Sequence, residues 1–263
     1  MKFIDFLNEN TNSYKTKISI DKAKQLIKSH CKNIDLKRPL WRGMRDTDDS
    51  FILHGEKGNR VSISDGNYHN VMIDHNIKRQ SLNYPLRSKS IICITNNGRS
   101  DTSMFGPENY AILPFDNTVI GVVPKQDILY VDLDAQDINE FNLMLNAVLF
   151  DNKHNGKITF KNVSETVDSI YKVVKDPSLS NADKTTPANF DFFNIFGKLD
   201  KDGILDKLES LFDLDKCGFK SIVSKDINYT SSNECWIGGK CIAIHEDIYD
   251  VIIKELTQDD NKD

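Results

Sequence analysis

The chain of 263 residues is 39% hydrophobic and 28% charged, the composition of an ordinary globular protein with its own core. Its 34 basic and 39 acidic residues give a net charge of −5, which disfavours nucleic acid as a partner, because phosphate backbones normally bind a concentrated basic surface. No apolar run approaches the roughly 20 residues that span a bilayer. Asp5 and Glu9 also interrupt the stretch that a secretory signal would need. These features predict a cytoplasmic protein without a membrane partner.

The five cysteines are scattered and include no CxxC pair, which excludes a zinc ribbon. Three of them, Cys93, Cys235 and Cys241, lie in apolar, strand-like runs, where a reduced cysteine behaves as a small buried hydrophobic residue. We therefore expect free thiols in a reducing compartment.

The first third of the chain is predicted to alternate between helices and a single strand. Residues 1–14 favour a short amphipathic helix, and Ser19 is expected to cap a second helix that ends near His30. Residues 39–44 indicate a short strand that ends at a glycine. Residues 54–70 are rich in Gly, Asn and Ser and indicate a loop, and 68–83 a further helix.

The middle of the chain is predicted to form strands. Residues 90–95 are a nearly continuous apolar run, which is typical of a buried strand. Residues 110–114 and 119–124 follow as two more strands, with a turn at Asp116-Asn117 between them. Residues 128–133 are predicted as a fourth, short strand.

Helical periodicity then occupies residues 137–214, interrupted by a polar linker over 177–187. Strands resume near 219–223 and at 234–244, where Gly238-Gly239 predicts a hairpin. A last helix, 247–256, precedes an acidic tail. The pattern as a whole is that of an α+β protein with a helical insert.

Three separated segments carry polar residues next to predicted strands. They are Trp41-Arg42-Gly43, Arg87-Ser88-Lys89-Ser90 and Ser231-Ser232-Asn233-Glu234-Cys235-Trp236. Their order of arginine, Ser-X-Ser and glutamate resembles the R-S-E class of ADP-ribosyltransferases, and the Glu-X-Trp ending resembles phage-encoded members of that superfamily. The stretches 105–114 and 123–127 are similar to core strands of the same phage proteins.

This resemblance implies a split, mostly antiparallel β core with flanking helices, in which residues 137–214 lie outside the core of one domain spanning 1–263. It implies a mono-ADP-ribosyltransferase that uses NAD⁺ as its substrate and modifies a host macromolecule, a protein rather than a nucleic acid. The location implied is the host cytoplasm or the virion.

The resemblance also implies roles for individual residues. Glu234 would be the catalytic carboxylate, which stabilises the ribosyl cation and holds the ribose 2′-hydroxyl. The cofactor-binding residues would be Arg42, at the diphosphate or the neighbouring ribose, with Gly43 beside it. Ser88 or Ser90 would orient the nicotinamide ribose, and Tyr110, Phe105 or Trp236 would stack on nicotinamide.

Two departures from the pattern leave alternatives open. Ser232 occupies the position where many arginine-modifying members carry Glu or Gln, which argues against arginine as the acceptor and favours simple NAD⁺ hydrolysis as one alternative. The interval between Ser90 and Glu234 is also wide. Another alternative is a non-catalytic virion or host-interaction protein on the same fold, with the helical segment as its binding surface.

Other motifs are weaker. No two of His54, His69 and His75 keep the helical spacing of a metal-binding pair, so no metal site is expected. Asp200-Lys201-Asp202-Gly203 lacks most of the carboxylates of a calcium loop, and an acidic helix start explains it more simply. The chain contains neither a phosphate-binding P-loop nor a Gly-X-Ser-X-Gly elbow.

Overall fold

A computed structural model of the chain describes residues 15–44, 50–54, 68–95, 106–134, 136–149, 160–176, 187–227 and 231–259. The chain forms two compact units. A sheet unit consists of residues 1–60, 83–127 and 219–263, and a helical unit of 61–82 and 128–218. The predicted α+β class is confirmed.

The sheet unit is built on nine strands, and every neighbouring pair is antiparallel. The strands are β1 (Lys15–Lys17), β2 (Leu40–Met44), β3 (Phe51–His54), β4 (Ile91–Ile94), β5 (Glu108–Pro114), β6 (Val119–Val122), β9 (Lys220–Val223), β10 (Glu234–Ile237) and β11 (Cys241–His245). Their order across the sheet is β1-β3-β11-β5-β2-β4-β10-β6-β9.

Most of these strands were predicted, but their pairing was not. The hairpin expected about Gly238-Gly239 is wrong, because β10 pairs with β4 and β6 whereas β11 pairs with β3 and β5. The turn at Asp116-Asn117 is present, with Asn117 at a φ of 62°, yet the strands that it joins do not pair with each other. Local turn signals therefore gave the strand ends and not the neighbours.

Two helices cover one face of the sheet. Helix α1 (Ile20–His30) begins at Ser19, whose side chain accepts the backbone N–H of Lys22, as predicted. Helix α7 (Glu246–Asp259) follows β11 directly. The apolar side chains of both helices bury one cluster with strand residues that include Trp41, Ala111, Leu113, Ile242 and Ile244. The opposite face carries a second buried cluster, which includes Leu40, Met44, Tyr110, Ile112, Cys93 and Cys235.

The sheet is most weakly paired between β2 and β4. Strands β2 and β5 pair over five rows, from Leu40 to Met44, whereas β2 and β4 pair only where Trp41 faces Ile94. Within the described part of the chain, β2 and β4 therefore share the shortest ladder of the sheet while remaining neighbours in it. The large antiparallel sheet agrees with the mostly antiparallel β core expected from the sequence.

The helical unit contains α2 (Tyr68–Arg79), α3 (Ile138–Leu149), α4 (Val163–Val174), α5 (Pro187–Phe196) and α6 (Lys201–Leu211). Its core includes the buried aromatic residues Tyr68, Phe141, Phe192, Phe196 and Phe212. Asp200 caps α6 by accepting the backbone N–H of Gly203 at 2.8 Å, which confirms the acidic helix start.

Other expectations have mixed outcomes. The strand predicted over 128–133 is instead a short 3₁₀ helix, Ile128–Tyr130, followed by β7 (Asp132–Leu133), which pairs with β8 (Gln136–Asp137). The predicted helix over 1–14 and Phe105 lie outside the described residues.

Among the described residues, no helix has the length and apolarity to cross a membrane, and no group of three or more His, Cys, Asp or Glu side chains could hold a metal ion.

Candidate functional site

The three motif segments lie on or beside three consecutive strands of the sheet. Arg42 and Gly43 lie in β2, and Glu234 begins β10, two strands away. Between them lies β4, which Ser88 and Ser90 precede: Ser88 is in a 3₁₀ helix, Arg87–Lys89, and Ser90 follows it. Because Glu234 pairs with Ile94, the last residue of β4, the two serines and Glu234 lie at opposite ends of that strand.

Arg42 and Glu234 nevertheless project from opposite faces of the sheet. Ile94 pairs with Trp41 on one side and with Glu234 on the other. Residues that face each other across antiparallel strands point to the same side, and successive residues alternate. Glu234 therefore shares a face with Trp41, and Arg42 starts on the other face.

The Arg42 side chain reaches from β2 to the backbone of β4. It is half-buried, and its Nη1 donates to the backbone carbonyl of Ile92 at 2.6 Å. Arg42 pairs with Tyr110, which in turn pairs with His245. The rings of Tyr110 and His245 meet edge to face with centroids 5.2 Å apart. Tyr110 is fully buried, so its ring is not exposed to a ligand in this arrangement.

Glu234 is buried in an ion pair with a residue to which the sequence analysis gave no role. Only 3% of Glu234 is exposed, and Arg87 donates to its Oε1 through Nη2. The side chain of Arg87 is itself 8% exposed. Because both charges have left water, their mutual attraction offsets part of the cost of burying them. Next in the chain, burial raises the pKa of the Cys235 thiol, and the neighbouring Cys93 and Glu234 raise it further.

Trp236 and Ser90, both predicted to bind NAD⁺, make structural contacts around Arg87. Trp236 is fully buried, and its Nε1 donates to the Pro85 carbonyl at 2.7 Å. The Tyr84 ring stacks on the indole with centroids 6.0 Å apart. The Ser90 hydroxyl donates to the Leu86 carbonyl at 2.8 Å.

The chain entering β10 is fixed by a hydrogen-bond network. The Thr95 hydroxyl donates to the Ser231 carbonyl at 2.6 Å and accepts the backbone N–H of Asn233 at 2.8 Å. The Asn233 side-chain amide donates to the Val123 carbonyl at 2.9 Å. These bonds tie the residues before Glu234 to the ends of β4 and β6, so the position of its backbone is well determined.

Comparison with known proteins adds no relative to this geometry. No protein-family model, curated protein or solved structure matches the chain. The resemblance to ADP-ribosyltransferases therefore stays a prediction from the sequence motifs.

Proposed function

We propose that this chain is an ADP-ribosyltransferase that moves the ADP-ribose of NAD⁺ onto a macromolecular acceptor, with Glu234 as its catalytic carboxylate. The observation that carries the proposal is the placement of the arginine, Ser-X-Ser and glutamate segments on or beside three neighbouring strands, β2, β4 and β10. Nothing in their spacing along the chain requires these strands to be neighbours. Because the net charge is −5, a protein is the favoured acceptor over a nucleic acid.

The reaction would proceed through charge development at the nicotinamide ribose. The bond between ribose C1′ and the nicotinamide nitrogen breaks, and its electron pair leaves with neutral nicotinamide. The ribose becomes cation-like, and the Glu234 carboxylate stabilises that charge. A lone pair of the acceptor then bonds to C1′, and the acceptor gives up its proton.

Arg42 would hold the diphosphate of NAD⁺ where its side chain lies between β2 and β4. A guanidinium presents a rigid fork of donors that suits two phosphate oxygens. Strand β10 is two interstrand spacings from β2, about 9.5 Å, which is within the length of a dinucleotide. Since Arg42 and Glu234 start on opposite faces of the sheet, one NAD⁺ molecule would contact both only after a change in the arrangement described above.

A second function is favoured by one specific observation, the burial of Glu234 and Arg87. On this alternative the pair is purely structural, and the fold serves as a virion or host-interaction protein that does not bind NAD⁺. Buried ion pairs are common without catalytic roles, and a carboxylate that is 3% exposed has little access to a ligand, so the burial favours a structural pair.

A transfer assay distinguishes them. The full chain is incubated with NAD⁺ labelled in its ADP-ribose, with and without a cell lysate, and Glu234→Gln is compared with the wild type. We expect the wild type to label a lysate protein and the variant to lose at least about a hundredfold of that activity. Release of free ADP-ribose without a labelled acceptor would identify hydrolysis instead.

The matched control is Glu209→Gln. Glu209 is also a poorly exposed, ion-paired glutamate, but it contacts His75 and Arg79 in the helical unit. Removing one partner of a buried pair costs about 3–5 kcal/mol, so thermal unfolding must show that both variants remain folded. Absence of NAD⁺ binding to the wild type by calorimetry would reject the enzyme and leave the structural alternative.

A further inference from the structure

Arg87 holds the carboxylate on which the proposed reaction depends. We infer that Arg87 is a positioning residue, which fixes the orientation of the Glu234 carboxylate and affects turnover only through it. We further infer that Ser90 and Trp236 serve the site by fixing the segment that carries Arg87, without touching NAD⁺. The role in turnover rests on the proposed function, whereas the pairing can be tested without it.

The contact itself restricts Glu234. Arg87 donates to Glu234 Oε1, and the two side chains are 8% and 4% exposed. At that burial water has little access to either partner, so rotation of the carboxylate away from Arg87 would cost the attraction between the two buried charges. One carboxylate oxygen is therefore held in place by a neighbour that lies 147 positions away in the chain.

The backbone around Arg87 is rigid for local reasons. The N–H of Lys89 donates to the Leu86 carbonyl at 3.0 Å, and the N–H of Ser90 to the Arg87 carbonyl at 3.2 Å. The Ser90 hydroxyl adds a second bond to the Leu86 carbonyl. Arg87 thus projects from a closed turn, and loss of the Ser90 hydroxyl would loosen that turn.

The same strand that carries Glu234 also anchors the segment that carries Arg87. Trp236, two residues after Glu234 and on the same face of β10, donates its indole N–H to the Pro85 carbonyl. A Cβ on Gly238 would lie 2.4 Å from the Pro85 side chain, so this segment packs directly against the end of β10. Movement of Arg87 relative to Glu234 is restrained from both ends of the pair.

Double-mutant kinetics test the inference. NAD⁺ consumption is measured for Arg87→Met, Arg87→Lys, Glu234→Gln and the double variant R87M/E234Q. We expect R87M to lower kcat by about tenfold or more while the KM for NAD⁺ stays within about twofold. R87K should recover part of the loss, because it restores the positive charge. In the E234Q background, R87M should cause no further loss of residual turnover, since Arg87 acts only through Glu234.

The control is Lys89→Met, which removes an exposed cation from the same 3₁₀ helix and should leave turnover unchanged. A raised KM with kcat preserved in R87M, or an additive loss in the double variant, would overturn the inference and indicate that Arg87 binds NAD⁺ itself. Wild-type turnover in R87M would overturn it as well.

Thermal unfolding separates failure of the inference from failure of the proposed function. If the wild type consumes no NAD⁺, the proposed function fails, and the unfolding midpoints alone decide the pairing. A double variant that loses less in Tm than the sum of the two single losses would support the hold of Arg87 on Glu234. Additive losses would overturn it.

Discussion

Trp41 and Glu234 lie in one row of the sheet, each paired with Ile94 from opposite sides. Because neighbours along a strand alternate between faces, this row sets Arg42 and Glu234 on opposite sides of the sheet although their strands are separated only by β4. Arg42 and Glu234 therefore have separate surroundings. Arg42 contacts the backbone carbonyl of Ile92 in β4, and Glu234 is paired with Arg87.

Substitution of Arg42 should weaken NAD⁺ binding without acting on Glu234. We expect Arg42→Gln to lose about tenfold or more in affinity for both NAD⁺ and ADP-ribose, because a charge-assisted contact to phosphate is removed. Arg42→Lys should recover only part of it, since an ammonium lacks the guanidinium fork. Isothermal titration calorimetry measures both affinities.

Arg38→Gln is the matched control for the Arg42 variants. Arg38 is partly exposed, lies four residues before Arg42, and forms an ion pair with Asp35. Its substitution should leave both affinities unchanged. If Arg42→Gln binds NAD⁺ as tightly as the wild type, Arg42 does not bind the diphosphate of NAD⁺.

The sequence predicted elements well where the signal is local. Ser19 at the start of α1 and Asp200 at the start of α6 are side chains whose oxygen accepts a backbone N–H of the first turn, and both caps are present. The linker predicted over 177–187 includes one residue too many, because Pro187 is the first residue of α5. Proline is favoured at that position because its missing N–H would have no partner there.

Pairing between distant strands could not be predicted from the same information. Strand β1 has no apolar alternation, and all three of its residues are exposed, so it carries no strand pattern. The contact between Arg87 and Glu234 exists only because β4 and β10 are neighbours. Since no local rule pairs those strands, the motifs suggested Glu234 but gave no indication of its partner.

Packing around Trp236 should be intolerant of extra volume at Gly121. An added Cβ there would lie 2.2 Å from the indole ring, which leaves no room for a methyl group. We expect Gly121→Ala to lower the free energy of unfolding by about 1–3 kcal/mol through overpacking. Urea unfolding measures the loss.

The double variant Gly121→Ala with Trp236→Leu tests the cause. If the methyl group clashes with the indole, removal of the ring makes room for it, and the double loss should be smaller than the sum of the single losses. Strict additivity would mean that Gly121→Ala acts on the backbone and not on Trp236.

In the helical unit, Asn76 should contribute to stability through its side-chain amide. The residue is fully buried, and its Nδ2 donates to the Phe212 carbonyl at 2.8 Å, just after the end of α6. We expect Asn76→Ala to cost about 1–3 kcal/mol, because a buried carbonyl loses its donor. Asn146→Ala is the control: its amide donates to the side chain of Asn142 within α3, at a half-buried position. Equal losses in the free energy of unfolding for the two variants, measured with urea, would refute a stabilising contribution from the bond between Asn76 and the Phe212 carbonyl.

Alkaline pH should destabilise the fold partly through its buried thiols. Burial and the nearby charge of Asp116 raise the pKa of Cys31 to about 12, and burial with Asp213 raises that of Cys217 to about 11. An unfolded thiol ionises near the ordinary value of 9.0, so above that pH the folded state keeps protons that the unfolded state releases. The stabilising contribution is thus complete below pH 9.0 and is lost as pH rises toward the folded values.

Cys31→Ala and Cys217→Ala should each flatten this pH dependence. The free energy of unfolding is measured by urea titration at intervals from neutral pH up to about 11, and each variant is compared with the wild type by slope. A constant offset caused by lost packing does not affect the comparison, because it is the same at every pH. Parallel curves for the wild type and both variants would show that these thiols do not contribute to alkaline unfolding. Other groups whose pKa is raised by burial, such as Tyr68 and Tyr249, would then account for it.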